Sequence, residues 1–203
     1  RKRRLAAVGS ARLTDRARAG VPVEIMTLGG GPCREWFELD REQANTAGLR
    51  RARLTYIDQD AEAVRFARTR LAQNRLLEDA RYLRTSMLEF CHRVDEGTLR
   101  GSWEVVYGLG IADYFHDEVL SRVVSSGWRL LGRGGRLIIT HKDREAFRFL
   151  PAEWFCEWQF VKRTEADFTR VFASALSMQG QPPPFVMDRE GTGEILFGIA
   201  TKP

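Results

Sequence analysis

Cysteine is scarce in this sequence, histidine scarcer still in any useful grouping, and no long apolar run occurs. The three cysteines, Cys33, Cys91 and Cys156, form no CxxC pair and have no histidine at zinc-knuckle spacing. Their number and scatter argue against a structural metal and against a disulfide framework. No stretch approaches the roughly 20 apolar residues that span a bilayer, and none has the layout of a signal peptide, so a cytoplasmic location is expected. Low-complexity tracts and internal repeats are absent too. Charge of one sign does not dominate. Lys and Arg number 32 against 27 Asp and Glu, a net charge of +5, with both signs mixed along the chain. Such a balance attracts anions only mildly; the excess could serve nucleic acid, an acyl carrier or a carboxylate substrate, with nucleic acid the less expected partner.

What is present is a chain of 203 residues with 43% hydrophobic content, enough for one domain with a sizeable core. It begins at Arg1 rather than Met, as a piece of a longer polypeptide would. Residues 1–20 read as a basic amphipathic helix, with Leu5, Val8 and Leu13 set between arginines and Gly20 and Pro22 to stop it. This segment is expected to be a packing helix, a lid or the remnant of an upstream region, and residues 21–203 the main domain.

From Val23 the pattern alternates between strand and helix. Val23 to Leu28 reads as a buried strand, followed by the turn Gly29-Gly30-Gly31-Pro32-Cys33 and a helix carrying Trp36, Phe37 and Leu39. Leu54 to Asp58 is a second strand, and the stripe of Ala61, Val64, Phe66, Ala67 and Leu71 a helix that Asp60 can cap. Further strands are expected at Arg81 to Thr85, Trp103 to Gly108 and Arg136 to Thr140. The clearest helix, through Val119, Val123, Trp128 and Leu131, ends at Gly132-Arg133-Gly134-Gly135. A helix from Glu165 to Leu176 and a hairpin of Phe185 to Asp188 with Ile195 to Ala200 complete the chain. The fold class is therefore α/β, a doubly wound, mostly parallel seven-stranded sheet with an antiparallel C-terminal strand.

The glycine turn lets a ligand approach the backbone and aims helix amides at it. The dinucleotide fingerprint GxGxxG fails, because Arg34 stands where its third glycine belongs. Asp58, at the end of the second strand, can accept both hydroxyls of a ribose, somewhat farther along than the spacing of about 20 residues in the dinucleotide motif. Residues Gln43 to Arg51 can supply the extra loop.

Residues Ile25 to Glu35 resemble motif I of class I S-adenosylmethionine-dependent methyltransferases, and Leu130 to Leu137 resembles their turn before strand five. More narrowly, Gly108-Leu109-Gly110-Ile111-Ala112-Asp113-Tyr114-Phe115 is similar to a segment of the extracellular-factor 3-hydroxypalmitic acid methyl ester biosynthesis family, as are Trp158 to Glu165 and the hairpin at Gly191 to Gly193. The resemblance implies a methyltransferase domain over residues 21–203 with S-adenosyl-L-methionine as cofactor. It implies that Thr27, Gly29, Gly30, Gly31, Pro32, Asp58, Gln59, Ser86, Met87, Gly108 and Leu109 bind that cofactor, Met87 covering the adenine. It places Asp113, Tyr114 and His141 toward the transferred methyl group or the acceptor.

Two departures stand out: the first-strand residue that is usually acidic is Thr27, and the last glycine of the turn is Cys33. Alternatives stay open at several positions. Asp113 is either catalytic or the cap of the next helix, and Tyr114 either catalytic or a pocket wall. His116 and His141 are candidates where His92 has no supporting context, and Lys142 or His141 could steer an ionised acceptor. Glu153 to Trp158 reads either as an aromatic roof or as a core-packed helix. The expected reaction is in-line methyl transfer to an oxygen, a carboxylate or hydroxyl of a small or acyl-type substrate. The competing readings are a nicotinamide-dependent oxidoreductase and a non-catalytic domain of the same fold.

Overall fold

The structure, a computed structural model, describes residues 21–38, 52–72, 77–147, 153–154, 157–177 and 183–203. The expected N-terminal helix, the loop from Gln43 to Arg51, and Phe155 and Cys156 lie outside the described residues. Strands β1 (Val23–Leu28), β2 (Ala52–Asp58), β3 (Leu77–Arg84), β4 (Trp103–Gly108), β5 (Leu131–Lys142), β6 (Phe185–Arg189) and β7 (Ile195–Thr201) form one sheet in the order β3-β2-β1-β4-β5-β7-β6. Strands β1 to β5 pair in parallel, and β7 runs antiparallel to both β5 and β6.

Alternation along the central strand sorts its side chains to two faces. Met26 and Leu28 pack beneath α3 (Met87–Asp95), α4 (Asp117–Arg129) and α5 (Glu165–Ser177), while Val23 and Ile25 face α1 (Glu35–Glu38) and α2 (Ala61–Leu71) with Trp36 and Ala67. Asp60 caps α2 as expected, its Oδ1 accepting the Glu62 amide at 2.8 Å. Helix α3 was not among the expected elements. Its start is nevertheless written in Ser86, whose hydroxyl accepts the Glu89 amide at 3.2 Å.

The glycines after α4 behave in both of the senses that their composition allows. The helix ends at Arg129, and β5 begins at once with Leu131 opposite Trp103, five residues earlier than expected from the apolar run alone. A bulge then absorbs Gly132 to Gly135 before Arg136 pairs with Val105. The loop is stitched to the C-terminal residues, Gly134 N donating to Lys202 O and Lys202 N to Gly135 O.

The crossing point of such a sheet, where β1 winds outward to β2 and β4 begins the opposite half, opens a crevice above the strand ends. All the candidate residues from Thr27 to His141 stand at that edge.

Candidate active site

A cavity of about 870 Å³ lies at that edge, toward the upper end of the roughly 300–1,000 Å³ usual for ligand sites. Its floor is the turn after β1. Gly30 has the Tyr56 ring so close that an added Cβ would stand 2.3 Å from Cε2, which excludes a side chain there, and Gly31 takes a φ of +51°, where a side chain would be strained. Asp58 holds this turn from β2: Oδ2 accepts the Gly31 amide at 2.8 Å and Oδ1 the Asp60 amide at 2.9 Å. The Tyr56 hydroxyl donates to Gly31 O at 2.7 Å from the same strand. The amide of Gly31 thus points at the carboxylate, whose two oxygens keep further lone pairs facing the cavity.

Cys33 closes the turn with a φ of +52°, left-handed backbone that a glycine would enter without strain. Its side chain is fully buried, and burial together with the neighbouring Glu35 pushes its thiol far above the ordinary range. It stays a neutral thiol and supplies no nucleophile. Below it runs a buried chain of hydrogen bonds in which the Trp36 indole donates to the Tyr107 hydroxyl at 2.9 Å and that hydroxyl donates to Glu35 Oε1 at 2.8 Å. Neither Glu35 nor Tyr107 was among the expected site residues. An aromatic hydroxyl at a strand end carries no sequence signal until its partner across the turn is known.

Of the residues expected to hold a cofactor, Thr27, Gly29, Gly30, Gly31, Pro32, Asp58, Gln59, Met87 and Leu109 border the cavity. Ser86 and Gly108 do not. The Ser86 hydroxyl is spent capping α3, and Gly108 is packed against Ile111 and Ile139. Thr85 takes the place given to Ser86. It borders the cavity, is nine-tenths buried, and its hydroxyl has no hydrogen-bond partner among the described residues.

The three residues expected near the acceptor separate. Tyr114 borders the cavity, half-exposed, with Phe115 beside it. Asp113 and His141 are buried and turned away, so neither can reach a ligand there as base, and Asp113 does not cap α4 either, since His116 occupies that position. Exposed His116 makes no capping side-chain bond, and His92 lies 3.1 Å from Glu96, the residue that ends α3. Asp113 Oδ1 accepts the Lys142 amide at 2.9 Å, and Lys142 Nζ donates to Oδ2. Lys142 is thereby committed, its ammonium also 4.5 Å from the centre of the Phe160 ring, and is not available to steer an acceptor.

His141 is held between two groups. Its Nε2 accepts the Arg163 amide at 3.2 Å, which leaves the proton of the neutral ring on Nδ1. Nδ1 lies 2.8 Å from Asp113 Oδ1, close enough for strong attraction although it is not aligned as a hydrogen bond. Arg163, itself buried, donates to the carbonyls of Ala112 at 2.9 Å and Phe115 at 2.5 Å and to Asp117. Together these groups clamp the short 3₁₀ turn Ile111–Tyr114 from both sides. The segment 157–163 is drawn over the cavity by the same contacts, with Val161 N donating to Asp113 O at 2.8 Å. Trp158 therefore borders the cavity, with Phe160 packed between it and Tyr114. Trp154, highly exposed, does not belong to a packed core helix.

Burial pushes the Asp113 carboxyl up, but the His141 contact, the Lys142 charge and the Lys142 hydrogen bonds outweigh it, and its pKa falls below the ordinary value. A carboxylate depressed in the folded state contributes stability that is full above the unfolded value of about 3.9 and is lost as pH falls through the folded value. Asp113→Asn should therefore lower the thermal midpoint at neutral pH, and the gap from wild type should narrow below about pH 4. Melting curves from pH 2 to 7 check this; a gap independent of pH would contradict it.

The strand order, with its reversed seventh strand, recurs in solved structures of methyltransferases. S-adenosylmethionine-dependent methyltransferase SibL superposes on 98% of this chain with a TM-score of 0.64 at 13% identity, and 54% of its own length is covered. The chain has the methyltransferase fold. Magnesium protoporphyrin IX methyltransferase from Synechocystis, solved with bound SAH, gives a TM-score of 0.57 at 13% identity over 98% of this chain and 83% of its own. A Bordetella parapertussis protein described as a possible exported protein gives 0.63 at 16% identity over 95% of this chain and 66% of its own. The chain thus spans between about half and two thirds of the length of several of these structures. No protein-family model and no curated protein sequence matches it. Among the described residues no helix is long and apolar enough to cross a membrane.

Proposed function

We propose that this chain is a cytoplasmic S-adenosylmethionine-dependent methyltransferase acting on an oxygen of a small or acyl-type substrate. The observation that carries the reading is the clamp of Asp58 on the Gly31 amide at the floor of a cavity large enough for more than one ligand. Solved proteins of the same fold are methyltransferases, one of them with SAH bound.

The residues present fit such a cofactor. Asp58 offers its remaining lone pairs to the ribose hydroxyls, Gly29 to Gly31 let the amino-acid moiety lie against the backbone, and Met87 offers an apolar face to the adenine. The Thr85 hydroxyl, without a partner among the described residues, supplies the polar contact that a purine edge can use. When bound, the cofactor supplies an electrophilic sulfonium methyl group. The chain contributes alignment and exclusion of water, through Tyr114, Phe115 and Trp158 at the outer end of the cavity.

No positioned base stands among these outer residues, because Asp113 and His141 are buried behind the 3₁₀ turn. An oxygen that arrives already ionised needs none, which favours a carboxylate over an alcohol as acceptor. The likeness of Gly108 to Phe115 to the methyl ester biosynthesis family points the same way.

Calorimetric titration with S-adenosylmethionine, S-adenosylhomocysteine and NAD tests the reading. Binding of both sulfur ligands with no heat from NAD is expected. Binding of NAD alone would favour an oxidoreductase, and binding of none a non-catalytic domain.

A further inference from the structure

We propose that the Tyr114 hydroxyl holds the acceptor by one oxygen of a carboxylate, and so selects carboxylic acids with an apolar body over the corresponding alcohols. The inference rests on the reading of the cavity as the site of an S-adenosylmethionine-dependent methyltransferase.

The side chain of Tyr114 is half in solvent, but the backbone that carries it is fixed on both sides. Before it, Ala112 O accepts from buried Arg163 at 2.9 Å and Asp113 O accepts the Val161 amide at 2.8 Å. After it, Phe115 O accepts from Arg163 at 2.5 Å. The Asp113 carboxylate ties the same turn to the Lys142 amide. The ring gains only a tilted contact with Phe160, 5.7 Å between centres, and its hydroxyl has no hydrogen-bond partner among the described residues. Buried bonds beneath a displayed, unpartnered hydroxyl are the arrangement that orients a ligand contact in advance.

The hydroxyl acts there as a donor. Burial and the charge of neighbouring Asp113 raise its pKa, so the phenol keeps its proton and cannot serve as a base. Asp113 does not repel an arriving anion unopposed, because the Lys142 ammonium pairs with it. Leu109, Ile111 and Phe115 bring apolar surface to the same part of the cavity, and Trp158 an indole that donates but does not accept. A hydroxyl bonds a carboxylate roughly twice as strongly as it bonds a neutral oxygen, which sets the preference for an acid. With one carboxylate oxygen held by Tyr114, the other attacks the methyl carbon. The O–C bond forms as the C–S bond breaks with its electron pair passing to sulfur, and the opposite charges cancel to leave a neutral ester and a thioether. No proton moves, and the phenol ends as it began.

Calorimetric titration of hexanoate, octanoate, decanoate and octan-1-ol into protein saturated with S-adenosylhomocysteine tests the assignment without turnover. Wild type should bind acids of the series. In Tyr114→Phe, which keeps the ring, the acids should weaken roughly ten- to a hundredfold, octan-1-ol by a few fold at most, and S-adenosylhomocysteine not at all. Unchanged acid affinity in that variant, or an equal loss for acid and alcohol, would overturn the proposal, as would a series in which no acid binds the saturated wild type. Arg34 is a cation that borders the cavity and has no partner among the described residues. Loss of acid binding in Arg34→Gln with none in Tyr114→Phe would place the carboxylate beside the glycine turn and overturn the assignment too. Failure of wild type to bind S-adenosylhomocysteine would instead remove the cofactor reading, and this inference with it.

Discussion

Asp58→Ala is expected to weaken binding of S-adenosylhomocysteine at least roughly a hundredfold and to lower the thermal midpoint of the unliganded protein. The carboxylate does two things at once: it accepts the Gly31 and Asp60 amides, and it faces the cavity with its remaining lone pairs. Hydrogen bonds to a charged group contribute about 1.5–3 kcal/mol each, and the part-exposed setting of Asp58 puts these toward the lower figure. Loss of two such bonds to a ribose corresponds to at least roughly a hundredfold in affinity. Asp58→Asn keeps one acceptor oxygen and should lose less, on the order of tenfold. Calorimetry on the three proteins gives the series. Wild-type affinity in the alanine variant would remove Asp58 from the cofactor site.

The second large effect is one of stability. Arg163→Met should destabilise the fold by about 2–5 kcal/mol, since each buried acceptor left unsatisfied costs about 1–3 kcal/mol. The guanidinium is almost wholly buried, and its loss strands the Ala112 and Phe115 carbonyls inside the protein. Only Asp117, half-exposed, can turn to water. Arg163→Lys should rescue little, since an ammonium cannot spread its donors over acceptors on three residues as the planar guanidinium does. Urea unfolding of the three proteins would show it as a fall in the midpoint, and a loss below about 1 kcal/mol would mean that water takes over the stranded carbonyls.

Much of this architecture could be read in advance because it rests on local patterns. The buried runs of β1, β2 and β4, the Asp60 cap and the closing hairpin each carry their own signal within a few residues. The place of Asp58 at the rim of the cavity was legible for a similar reason, since it follows from strand end and chain order. Helix α3 has a cap and an amphipathic stripe of Met87, Phe90, Cys91 and Val94, but it is only nine residues long and sits between two stronger strands.

What could not be read was direction. Asp113 and Tyr114 are neighbours in a segment rich in signal, yet the tight turn sends one side chain inward to His141 and Lys142 and the other out to the cavity. The same uncertainty of one residue moved the strand-three position from Ser86 to Thr85. Arg163 and Glu35 escaped notice because their partners lie far away in sequence or across a turn. Arg163 reaches back to Ala112, Phe115 and Asp117, and Glu35 meets Tyr107 only once β4 has joined the sheet.

The clamp on the 3₁₀ turn has an evolutionary consequence. Its polar anchors, Asp113, His141 and Arg163, are sealed in the interior, whereas Tyr114 and Trp158, the aromatic side chains it displays, are half in solvent. Exchange of a half-exposed side chain costs a fold little, while exchange of a sealed polar group whose partners are then left unsatisfied costs it much. Mutation can therefore redraw the outer rim of the crevice, and with it the range of molecules admitted, while the backbone beneath and the glycine-turn end of the crevice stay as they are. The rim of this scaffold is free to drift; the grip beneath it is not.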